Sequence, residues 1–151
     1  MATWAQFEAE NPTLAELGAT RLRRDHMAWL ATIRADGSPR VHPVSPVIAD
    51  GRLFVFMEPT SPKSRDLRRD DRYGLHCHVP DILGTSHGEF AIQGRAAQGS
   101  EPEVRARAAE ACLVRPEDRY LLFELSVTGA LGTDGVSIPL SWLRWRETSD
   151  Q

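Results

Sequence analysis

Apolar residues along the chain fall into short runs separated by Asp-Gly, Gly and Pro, a pattern that predicts a mainly β protein with a few helices. Leu14, Leu17 and Leu22 recur at roughly helical spacing after Asn11-Pro12. Asn caps a helix and Pro fits its first position, so a helix is predicted over about 12–24. Met27–Arg34 is apolar nearly throughout and reads as a strand buried on both faces. Arg40–Ile48 and Arg52–Glu58 are the next two strands, with Ala35-Asp36-Gly37-Ser38 and Ala49-Asp50-Gly51 as tight turns. Asp-Gly between apolar runs is a strong hairpin signal, because glycine takes positive φ without steric cost. Pro43 and Pro46 cannot donate to a ladder, which places that second strand at an edge, a bulge or a point where pairing stops.

Lys63–Arg69 reads as a short basic helix, followed by strands over Tyr73–Val79 and His87–Gln98. Gly94 inside the latter predicts a bend of the kind found at barrel corners. A helix over Glu101–Cys112, a strand over Tyr120–Leu131, a turn at Gly132-Thr133-Asp134-Gly135 and a last strand or extended tail over Val136–Trp145 complete the chain. Six or seven strands joined by short turns imply an antiparallel sheet, and the mid-strand glycine suggests that it closes into a barrel over about 27–145. No repeat, low-complexity stretch or linker divides the sequence, so residues 1–151 are expected to form a single domain.

Composition narrows the function. A net charge of −3 gives no general nucleic-acid or anionic-membrane surface, so any anion site must be local. No stretch approaches the ~20 apolar residues that span a membrane. Met1–Glu10 contains two acids and no apolar run, unlike a signal peptide. Cys77 and Cys112 fit no CxxC pattern and read as reduced thiols in a cytoplasmic protein.

The local anion site is expected at Thr60-Ser61-Pro62-Lys63-Ser64, where hydroxyls and one cation stand at a helix start. Free N–H groups and the partial positive charge there suit a phosphate. His76 and His78 share one strand face, but no third ligand stands at a metal-site spacing, so no metal is expected. Cys77, on the opposite face, reads as a core thiol, and His87 as a loop cap. Trp142 and Trp145, three apart, should face opposite sides of a strand.

The ordered set Gly37-x-Pro39-Arg40-Val41-x-Pro43-Val44, Asp50-Gly51, Leu53-Phe54-Val55-Phe56, Ser61-x-Lys63-x-x-x-Leu67 and Asp71-Arg72 resembles the pyridoxamine 5′-phosphate oxidase-like FMN-binding split-barrel family. The resemblance is clearest over Trp29–Val79. It implies a six-stranded antiparallel split β-barrel, a homodimer with FMN at the interface, and hydride or electron transfer to or from a small organic substrate. By the same resemblance, Arg40 approaches the phosphate, and Ser61, Lys63 and Ser64 bind it. His42, Pro43, Val44 and Ser45 run beside the flavin ring, with Phe56, Met57 and Glu58 on the adjoining strand end. Trp142 and Arg144 of the partner cover the cofactor.

True pyridoxamine phosphate oxidases have a basic residue at the position of Ser45 and Arg at that of Pro62, and their C-terminal Arg/His signature is not recognisable here. Vitamin B6 oxidation therefore does not follow from the resemblance. The same fold can take the deazaflavin F420, whose long acidic tail Arg65, Arg68 and Arg69 could meet. A flavin- or haem-binding protein without turnover is the third alternative.

Overall fold

The computed structural model describes residues 1–79, 88–135 and 141–148. Two helices open the chain, α1 (Trp4–Glu10) and α2 (Pro12–Asp25). Asn11 caps α2 through its side chain and Pro12 stands at its start, as its sequence predicts. The sequence reading has no counterpart to α1. Thr3 and Gln6 close it in a capping box, and its Trp4 and Phe7 are fully buried.

Four strands follow: β1 (Ala28–Ile33), β2 (Pro39–Val44), β3 (Val47–Ala49) and β4 (Arg52–Met57). The Asp50-Gly51 hairpin has positive φ at both residues, 49° and 68°, the signature of a type I′ turn. The predicted strand over 40–48 is broken at Ser45-Pro46. β2 pairs with β1 as an edge strand, whereas β3 pairs with β4. β1 is not buried on both faces: Ala28, Leu30 and Thr32 are buried, while Trp29, Ala31 and Ile33 look outward and Trp29 remains 40% exposed.

The remaining elements are α3 (Pro62–Arg69), β5 (Arg72–Cys77), β6 (Glu89–Gly99), α4 (Pro102–Glu110), β7 (Leu121–Leu125), β8 (Gly129–Thr133) and β9 (Leu143–Arg146). The predicted strand over 120–131 is two strands, kinked where Ser126 turns back to bond Arg95. Gly132 and Thr133, read as a turn, continue β8. His87 and residues 136–140 of the last predicted strand lie outside the described residues.

All pairs are antiparallel, in the order β2-β1-β5-β6-β7-β4-β3, with β8 paired to β6 and β9 to β8. The two ends of this path, β2 and β3, are consecutive in the chain. The sheet must therefore curl until its edges meet at Ser45-Pro46. β6 makes the corner: residues 89–93 pair with β8 and residues 96–99 with β7. Gly94 sits at that exchange, where a Cβ would stand 1.8 Å from the Ser126 carbonyl oxygen.

The concave side of the sheet and the buried faces of α1 and α2 enclose one core, including Trp4, Phe7, Leu30, Val55, Phe90 and Phe123. A smaller core of Phe54, Ala108 and Leu122 lies under α4, so β4 is buried on both sides. Among the described residues no helix is long and apolar enough to cross a membrane.

Candidate functional site

The break between β2 and β3 opens a cavity of about 490 Å³. Pro43–Val47 form one wall, the end of β4 (Phe56, Met57, Glu58) another, and Lys63 at the start of α3 projects from a third. The α4–β7 segment supplies Cys112–Glu117 and Tyr120, and His26 at the end of α2 completes the lining. The volume is within the range of small-molecule sites, and most of the lining is apolar.

The α4–β7 wall is held from behind. Arg105 of α4 donates to the carbonyls of Tyr120, Glu117 and Asp118 at 2.6, 3.1 and 3.0 Å, and its guanidinium lies over the Phe56 ring. Arg119 reaches across to Glu58 at 2.8 Å and also pairs with Glu117. Glu58 and Glu117 thus share the single positive charge of Arg119. Lys63 and Arg115 have no ion-pair partner among the described residues, so the cavity carries uncompensated positive charge. Lys63 is half-buried, and burial pushes its ammonium below the ordinary lysine value.

Beside the cavity, Arg40, His42 and Val44 alternate along the inward face of β2. Burial lowers the His42 pKa, and the nearby Lys63, Arg40 and Arg34 charges lower it further, against Asp66 alone. Arg40 donates through Nε to Asp66 Oδ2 at 2.7 Å. Asp66 also accepts from Thr32 at 2.9 Å and from Arg69 at 3.0 Å, with its side chain only 4% exposed. Burial opposes the charge on Asp66, but these donors hold its pKa below the usual carboxylate value.

Of the residues singled out from sequence, Pro43, Val44, Ser45, Phe56, Met57, Glu58 and Lys63 line the cavity together. Arg40 and His42 stand next to it. Ser61 caps α3, its Oγ accepting from the Ser64 N–H at 3.3 Å. Ser64 is fully buried, lies off the cavity wall and leaves its Oγ without a hydrogen-bond partner among the described residues. Trp142 and Arg144 are exposed on the β9 side and do not line the cavity. Trp145 turns inward instead, donating to Glu10 at 2.9 Å and packing on Phe7. His76 lies on the outward face of β5, and Cys77 is buried.

Sequence reasoning missed His26 and the Cys112–Glu117 wall. His26 is a left-handed helix cap with φ 51°, a conformation no motif announced. Leu113 and Val114 carried a usable signal. They are an apolar pair between a helix and a strand, and they stay 74% and 79% exposed at the cavity mouth.

A family model described as pyridoxamine 5′-phosphate oxidase matches residues 15–129, well over half of the chain. The chain belongs to this family. Solved structures agree at the level of fold. A conserved hypothetical protein from Mycobacterium tuberculosis superposes with TM-score 0.71 at 18% identity, covering 92% of this chain and 91% of its own. A haem-binding protein from Mycobacterium smegmatis gives TM-score 0.71 at 18% identity, over 90% of this chain and 59% of that one. PhzG from Burkholderia lata, solved with tetrahydrophenazine-1-carboxylic acid, gives 0.67 at 16% identity, over 97% and 89%. At these identities the likeness shows the split-barrel fold. No curated protein sequence matches the chain.

Proposed function

We propose that this family member is an FMN-binding oxidoreductase acting on a small organic substrate. The observation that carries the reading is Lys63: a half-buried cation without a counter-charge, at the start of a capped helix, on the wall of an otherwise apolar cavity. That arrangement fits a ligand with a flat apolar body and one anionic end, which describes FMN. Lys63 and Arg40 would take the phosphate, with Ser61 orienting the helix start. Val44, Val47, Phe56 and Met57 would wall the ring. FMN supplies reversible hydride transfer when bound. The chain's own part is to bind, orient and shield it from water.

The active unit in this reading is a homodimer. Registers across β2, β1, β5, β6, β8 and β9 line up Pro43, Trp29, His76, Ala91, Leu131 and Arg144 on one outward row. Val41, in the next row, is 60% exposed. Pro43 belongs both to this face and to the cavity wall, so a second copy seated here would close the cavity mouth.

Two other ligands are favoured by particular residues. Arg65, Arg68 and Arg69 line an open depression of about 330 Å³ on α3, suited to the acidic tail of F420. His26 lines the cavity, and its imidazole, with no hydrogen-bond partner among the described residues, would be available to hold a haem iron. An absorption spectrum of the purified protein, followed by titration with FMN, F420 and haem, separates them. Flavin bands or tight FMN binding support the proposal. Binding of F420 alone, or a Soret band lost in His26→Ala, overturns it.

A further inference from the structure

Asp66 presents a puzzle for an anion site. It is a buried carboxylate one helical turn from Lys63, where a negative charge should repel a phosphate. Its bonds suggest why it is there. Oδ2 accepts from Arg40 Nε at 2.7 Å and from Thr32 Oγ1 at 2.9 Å. Oδ1 accepts from the Arg69 terminal nitrogen at 3.0 Å, and that nitrogen also donates to the Ile33 carbonyl at 2.5 Å. One carboxylate therefore ties α3 to β1 and β2. Arg40 is engaged only through Nε, and its two terminal nitrogens have no partner among the described residues. The guanidinium is held by its inner edge, while the outer fork remains open for a ligand.

We infer that Asp66 is the positioning residue of the anion site: it fixes the Arg40 fork and the Lys63-bearing turn of α3 at the separation a phosphate needs. This inference rests on the FMN reading. Fixing two cations before the ligand arrives removes the ordering cost from binding, so affinity gains more from geometry than it loses to the extra negative charge. Charge and geometry predict opposite signs, and the experiment uses that.

The readout is the ratio of riboflavin Kd to FMN Kd, which isolates the phosphate contribution. It is measured by flavin fluorescence for the wild type, Asp66→Asn and Arg40→Lys, alongside melting temperatures. A merely structural defect weakens both flavins alike and leaves the ratio unchanged. Loss of a repelling charge raises the ratio in Asp66→Asn. The positioning role lowers it by about tenfold or more in Asp66→Asn. It also lowers the ratio in Arg40→Lys, which keeps the charge but loses the Nε anchor and the fork, and which still reads the inference if Asp66→Asn does not fold. A wild-type ratio near one overturns the FMN phosphate reading and this inference with it. A large wild-type ratio that a folded Asp66→Asn leaves unchanged or raises, or that Arg40→Lys leaves unchanged where Asp66→Asn does not fold, overturns this inference alone.

Discussion

Lys63 and His42 are both driven toward their uncharged forms, Lys63 by burial and His42 by burial reinforced by three neighbouring cations. For a base lowered in this way, folding disfavours the bound proton. Stability of the ligand-free protein therefore rises as pH climbs through the lowered pKa toward the ordinary value, and the penalty is fully present below it. A phosphate reverses the balance by favouring the charged forms. FMN binding should thus take up protons, and its affinity should fall as pH rises. Calorimetric titration in two buffers of different ionisation enthalpy checks this, and proton release on binding would contradict it. At this scale Lys63 was legible in sequence, because Ser61-Pro62-Lys63 announces a helix start. Asp66 was not. Its importance comes from Thr32 and Arg40, which are distant in sequence and meet it only after the sheet has formed.

Among the elements, the turns and most helices were legible because their signals are local: the φ > 0 pair at Asp50-Gly51, the cap at Asn11, the prolines opening α2, α3 and α4. α1 escaped because seven residues are too few to show a period, although Trp4 and Phe7 stand three apart on its buried face. The two split strands escaped for a different reason. Pro46 signals that pairing stops near Ser45-Pro46 but not that a new strand begins there, and the residues around Ser126 favour extended backbone, so both breaks arise where the chain passes between parts of a curled sheet. Gly94 is the element-scale test. A methyl there meets the Ser126 carbonyl, so Gly94→Ala should cost about 3 kcal/mol or more by urea unfolding. A change within ~0.5 kcal/mol would mean that β6 turns its corner without that close approach.

For the whole molecule, the outward face of β1 and β2 sets the next test. Trp29 and Val41 are exposed in the single chain, so charge placed there should barely affect the fold of one copy. Trp29→Lys and Val41→Lys should instead convert a dimer to a monomer in sedimentation analysis and weaken flavin binding at a now open mouth. An unchanged mass would place the interface elsewhere. In sequence β1 reads as a doubly buried strand. Its apolar outward residues leave the same pattern whether a layer of the same chain or, in the proposed dimer, a second copy covers them. The central claim, that the cavity between the β2–β3 break and α3 holds the phosphate of FMN, is tested most directly by titrating FMN into the wild type and Lys63→Ala. Loss of one charge-assisted contact predicts affinity weaker by roughly 1.5–3 kcal/mol, about ten- to a hundredfold, with the melting temperature little changed. Equal affinity in the two proteins would contradict the claim.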